Sequence, residues 1–151
     1  MIESVSTEAS NGERFTCLGM SADGQTAARV RAEFARWLDT NFDLDPIRSS
    51  DLLLATNEAL ANAAEFAYAA VAEHGTMDVE AEFDAAQGVL TVTVADHGTW
   101  REPVSPPRRA RGRGIPLMEA LTDGASFDHS SSGTRVQLQW TGIHRRAVST
   151  N

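Results

Sequence analysis

Two periodicities divide the chain. Apolar residues recur every three or four positions through 22–40 and from 46 to about 73, which predicts two helices. They alternate with polar residues through 77–83 and 89–95, which predicts two half-buried strands. In the first helix Val30, Phe34, Leu38 and Phe42 share a four-residue spacing, and Ser21 stands where an N-cap belongs. That apolar row packs in the core or faces a second copy of the chain; spacing alone does not choose. Asp45-Pro46 opens the second helix, a capping side chain followed by proline at the first helical position. In the strands, Met77, Val79, Ala81 and Phe83 oppose Asp78, Glu80 and Glu82, while Leu90, Val92 and Val94 oppose Thr91 and Thr93. With 84–88 as the turn, this is a hairpin. Residues 14–20 predict a short first strand, about 115–122 a third helix, and 125–129 with 134–140 a last antiparallel pair around a turn at 130–133.

The predicted order is strand, helix, helix, hairpin, loop, helix, hairpin. Strands clustered toward the second half, with helices for one face only, imply an α/β (α+β) two-layer sandwich on a mostly antiparallel mixed sheet. A length of 151 residues suits one domain. Its expected span is 13–141, between a loose tail at 1–12 and a polar tail at 142–151.

The second helix carries the most informative stretch, DLLLATNEALANAAEFAY at 51–68. On a helical wheel centred on Leu53, residues Leu60, Ala64, Ala67 and Val71 fall within about 40°, a packing stripe. Asp51, Glu58, Asn62 and Glu65 gather opposite. A solvated face is the ordinary reading of such acids. Two details set this one apart: its neighbours are alanines rather than Lys or Arg at i+4, and Glu58 precedes Asn62 by one turn. That spacing pairs a proton acceptor with an amide oxygen suited to a hard cation.

Composition narrows the chemistry. The net charge of −8 disfavours general binding to nucleic acid or to anionic membranes. All thirteen basic residues are arginine, so no lysine-dependent mechanism is open to the chain. A single cysteine, Cys17, has no internal disulfide partner and reads as a buried thiol in a reducing compartment. With no signal-like segment and no apolar run near 18 residues, a cytoplasmic location is expected.

Three short motifs complete the pattern. Asp96 follows an apolar strand, where a buried carboxylate needs a donor such as an exocyclic amine, and Gly98 admits a flat ring close to the backbone. Gly112-Arg113-Gly114 stands before the third predicted helix, a place where backbone N–H groups favour phosphate. It ends a long connection, 99–114, that holds Pro103, Pro106, Pro107 and five of the arginines. Gly133-Thr134 opens the last strand and brings a hydroxyl toward Asp96. Each alone has a plain structural reading: a strand-ending turn, an arginine-bearing surface loop, a strand start.

Together and in this order they resemble the Bergerat-fold ATPases of the GHKL superfamily, and within it the anti-sigma-factor serine/threonine kinases. NEALANAAEFAY resembles the N box, VADHGTW and RGRGIPLMEALTD the two glycine boxes, and GTRVQLQW the terminal Gly-Thr strand. The likeness spans roughly 14–140. It implies that Asn62 supplies an oxygen to Mg²⁺ and that Glu58 accepts the proton of the attacking hydroxyl. It further implies that Asp96 binds the adenine amino group beside Gly98 and Thr134, while Arg111, Gly112, Arg113 and Gly114 close over the phosphates of ATP. A cytoplasmic, Mg²⁺-dependent protein serine/threonine kinase is the implied activity, with an anti-anti-sigma (STAS-type) protein as substrate. The implied second activity is sequestration of a sigma factor by a homodimer. One residue departs from the pattern: Phe66 stands where family members often carry His. Phe66 supports an alternative, a nucleotide-binding docking module that regulates a partner without phosphotransfer.

Overall fold

The alternating hairpin forms the centre of the sheet. β3 (Thr76–Asp84) and β4 (Val89–Asp96) pair antiparallel, with Asp84 opposite Val89 and Met77 opposite Asp96. The turn closes through Asp84, whose carbonyl accepts from Gly88 at 2.7 Å and whose Oδ1 accepts from Ala86 and Gln87. Gly88 turns the chain at φ 69°, a conformation that favours glycine. In this computed structural model the described residues are 13–70, 75–97, 109–130 and 133–147.

β1 (Arg14–Ser21) joins β3, β6 (Gly133–Trp140) joins β4, and β5 (Gly124–Ser130) joins β6. The order is β1-β3-β4-β6-β5, and each pairing is antiparallel. One face of the central strands is buried: Met77, Val79, Ala81, Leu90, Val92, Val94, Leu138 and Trp140 lie beneath the helices. The other carries Glu80, Glu82, Thr91, Thr93, Gln137 and Gln139, half-buried or exposed. The expected two-layer sandwich is present, with period-two alternation deciding which face the helices cover.

α1 (Gly24–Asn41) begins two residues later than the sequence predicts. Ser21 is the last residue of β1, and the cap is Asp23, whose carboxylate accepts from the Thr26 amide at 2.7 Å. A carboxylate there also suits the positive end of the helix dipole. Val30, Phe34 and Leu38 are core residues, each 2% exposed or less. The alternative that this row faces a second copy is thereby removed. Phe34 and Trp37 stack into a line of rings that runs from Phe15 to Phe42 and Phe83, with centroids 4.9–5.9 Å apart.

α2 (Pro46–Ala70) starts where Asp45-Pro46 predicts, the Asp45 carboxylate accepting from the Arg48 amide at 2.8 Å. Its buried face keeps Leu60 and Ala64 of the predicted stripe but is not centred on Leu53. Leu52, Ala55, Ala59, Leu60, Ala63 and Ala64 are buried, Leu53 is only half-buried and Leu54 is exposed. Three consecutive leucines leave the centre of a helical stripe ambiguous by one residue either way. Packing of α2 against α1, α3 and the sheet selects Leu52 and widens the buried arc. Val71, assigned to the stripe in sequence, lies outside the described residues.

A two-stranded ladder, which the sequence pattern did not reveal, pairs β2 (Phe42–Asp43) with β7 (His144–Arg145). It holds part of the expected polar tail, where Ile143 is buried and donates its amide to Gly88. Arg48 at the start of α2 bonds Asp123 and the Thr141 carbonyl. The amide of Thr141, together with Arg48, holds the Asp123 carboxyl below its ordinary value against the opposing effect of partial burial.

Cys17 is fully buried on β1. Burial foremost, and then the Glu33 charge, push its thiol up to about 12, with Arg29 opposing. At pH 8 the thiolate is therefore about one part in ten thousand. An aromatic disulfide reagent is expected to label native protein at least about a hundredfold more slowly than unfolded protein, and burst labelling without denaturant would contradict this burial.

Candidate functional site

The alternation that buries Leu90, Val92 and Val94 carries one step further to Asp96. This carboxylate is 6% exposed at the helix-side end of β4, at the centre of the sheet. Met77 faces it on β3 and Thr134 on β6. The sequence expectation that Thr134 lies beside Asp96 is therefore met in the register itself.

Gly133 sets how closely the two strands meet. It has φ 141°, and a Cβ built on it would lie 1.9 Å from the Asp96 carbonyl oxygen and 3.3 Å from Oδ1. No side chain fits there. Sequence reading took Gly133 only as the opening of a strand; a glycine at the first position of a strand is the signal that points to close backbone approach.

Glu58 and Asn62 stand one turn apart on α2, both half-buried, alongside the exposed Ala61. α2 packs on β4 on one side and on α3 (Arg109–Leu121) on another. The Arg31 guanidinium on α1 donates to Asn57 Oδ1, which ties the helix to its neighbour beside Glu58. Among the described residues no group of three His, Cys, Asp or Glu side chains is placed to hold a metal. A cation bound through Asn62 would draw its remaining ligands from phosphate and water, the usual habit of Mg²⁺.

The second glycine motif differs from expectation. α3 begins at Arg109, so Arg111, Gly112, Arg113 and Gly114 are its early residues and do not precede it. The predicted start lies near Ile115, just past Gly112-Arg113-Gly114. The helix nonetheless extends six residues upstream. Pro116 then lies in its interior, where proline cannot donate to the carbonyl four residues back, that of Gly112. The N–H groups that have no intrahelical carbonyl consequently belong to the first turn, upstream of Gly112. Gly98, Arg101, Pro103, Pro106, Pro107 and Arg108 lie outside the described residues, and of Phe66 only the helical backbone is described.

A groove of about 630 Å³ opens at the opposite end of the strands, lined by Glu13, Arg14, Glu82, Asp84 and Gln139 among others. Arg14 is paired there with Glu82, and Asp84 is engaged by its own turn. It is remote in register from Asp96.

The sequence profile of the histidine kinase-like ATPase domain matches residues 20–140. This chain belongs to that family. Two solved structures share the fold of the domain. The RsbU and RsbW domains of Rv1364c from Mycobacterium tuberculosis superpose with a TM-score of 0.64 at 24% identity, covering 91% of this chain and 34% of that one. The histidine kinase domain of the blue-light activated histidine kinase EL346 from Erythrobacter litoralis gives 0.52 at 18% identity, covering 80% and 61%. The chain thus spans about a third and about three fifths of these two proteins. No helix among the described residues of this ATPase domain is long and apolar enough to cross a membrane.

Proposed function

We propose that this ATPase-family domain binds ATP with Mg²⁺ and transfers the γ-phosphoryl group to a serine or threonine hydroxyl of a regulatory protein. Asp96 carries the reading: a carboxylate buried at a strand end, against Gly133 and Thr134, in a family whose fold is built for ATP. Asp96 accepts the adenine amino group, with Gly98 beside the ring and Thr134 supporting the carboxylate. Asn62 offers its amide oxygen to Mg²⁺, which supplies charge neutralisation across the phosphates. By resemblance to the family, Arg111, Gly112, Arg113 and Gly114 close over the phosphates and offset that charge.

Glu58 takes the proton of the attacking hydroxyl. That oxygen forms a bond to the γ-phosphorus as the bond to the bridging β–γ oxygen breaks, and ADP leaves with the electron pair. The half-burial of Glu58 suits a base that must reach a protein substrate. By resemblance to anti-sigma-factor kinases, the substrate is an anti-anti-sigma protein of the STAS type. The second partner is a sigma factor, held by a cytoplasmic homodimer.

Incubation of the full chain with radiolabelled ATP, Mg²⁺ and a STAS-type protein tests this directly. Wild type is expected to label the partner. Glu58→Gln should retain ATP affinity within about threefold and lose at least about a hundredfold in transfer rate. Nucleotide binding without any labelling, by wild type across candidate partners, would instead establish the docking module.

A further inference from the structure

We infer that Asp78 is a positioning residue for the adenine site, acting through His97; the inference rests on the ATP reading above. Asp78 lies on β3, opposite Ala95, on the face of the sheet turned away from the helices. Its two carboxylate oxygens engage β1 and the residue that follows β4. Oδ1 accepts the Gly19 amide at 2.7 Å, and Oδ2 accepts from His97 Nε2 at 2.6 Å.

Gly19 has φ 65° and lies within the register shift between Cys17 and Met20. A bulge leaves a backbone amide without a ladder partner, and Asp78 takes up the one this bulge leaves. His97 is the residue directly after Asp96, and its own amide donates to the Thr76 carbonyl at 2.8 Å, a link between β3 and the residue that follows β4. His97 is thus held at backbone and side chain together.

The consequence follows from strand alternation. Asp96 turns its carboxylate to the helix side, and the next side chain goes to the other face. Fixing His97 on that outer face fixes the peptide between them, and with it the direction of the Asp96 carboxylate. The clamp touches no nucleotide. It sets the geometry by which Asp96 reads the base.

A reader of the exocyclic amine should lose discrimination when it is misaligned, while contacts to phosphate remain. Asp78→Ala in the full chain is expected to weaken ATP about five- to tenfold by calorimetry, with GTP changed less than about twofold. Asp78→Asn keeps an acceptor for Gly19 and an amide for the other tautomer of His97, and should restore most of the ATP preference. Amide hydrogen exchange at Gly19 and His97, measured without nucleotide, should accelerate in Asp78→Ala and not in Asp78→Asn. Equal weakening of ATP and GTP, or no rescue by asparagine, overturns the inference. Failure of wild type to bind either nucleotide refutes the ATP reading and, with it, the role assigned to Asp78. Accelerated exchange in that case would leave the clamp as a feature of folding alone.

Discussion

Gly133→Ala is expected to lower stability by about 3 kcal/mol, a fall of roughly 6–12 °C in melting temperature for a domain of this size. Two independent costs act at that position. The backbone is held at φ 141°, which an L side chain rarely adopts, and the new methyl would meet the Asp96 carbonyl oxygen at 1.9 Å. The obstacle is backbone on a central strand, so no rotamer change relieves it. β6 must withdraw from β4 at the end where Thr134 faces Asp96. Nucleotide affinity should fall more than the loss of stability accounts for, because the opening occurs at the proposed adenine site. Thermal unfolding with ATP titration checks both. A variant that melts within about 2 °C of wild type would show that the strands do not approach as described. Gly142→Ala is the matched control: it too has positive φ, 66°, but its Cβ would meet nothing within 4 Å.

Asp96→Asn should leave the fold intact and weaken ATP about ten- to a hundredfold. The substitution is nearly isosteric, so the cost is chemical. A buried carboxylate accepting from an amine is a charge-assisted bond worth about 1.5–3 kcal/mol, and each 1.4 kcal/mol is tenfold in affinity. Asparagine offers one acceptor oxygen and a donor that conflicts with the adenine amine. The loss should be specific to adenine nucleotides. Calorimetric titration of ATP and ADP, with and without Mg²⁺, into wild type and variant separates the base contact from the phosphate contacts. Equal affinity in both proteins would remove Asp96 from the site and leave the family fold without its expected base reader.

The candidate residues reached by separate motifs differ in how the fold treats them. Asp96 and Thr134, far apart in sequence, become direct partners across two strands. Glu58 and Asn62 were already neighbours by helical spacing, and the fold adds partial burial and the contact of α2 with α3. Arg111 to Gly114 are drawn into a helix, which moves its N-terminus upstream from where the glycines suggested.

Sequence by itself determined the elements with clean local causes. Alternation over 77–83 and 89–95 determined β3 and β4 and the face they bury, because side-chain direction in a strand is a property of the backbone. Asp45-Pro46 determined the start of α2, because cap and fixed φ are local as well. The motif set determined the family. Only the tertiary structure decided which leucine of three faces inward, since a periodic pattern has no origin until a neighbour packs against it. It alone decided that Val30, Phe34 and Leu38 form core, and that β7 returns to pair with β2. The join at Asp96 is of the same kind. The register that sets Gly133 and Thr134 against it, and the Asp78–His97 pair behind it, depend on contacts between residues distant in sequence. No local preference encodes such contacts, because their energy exists only once both strands are in place.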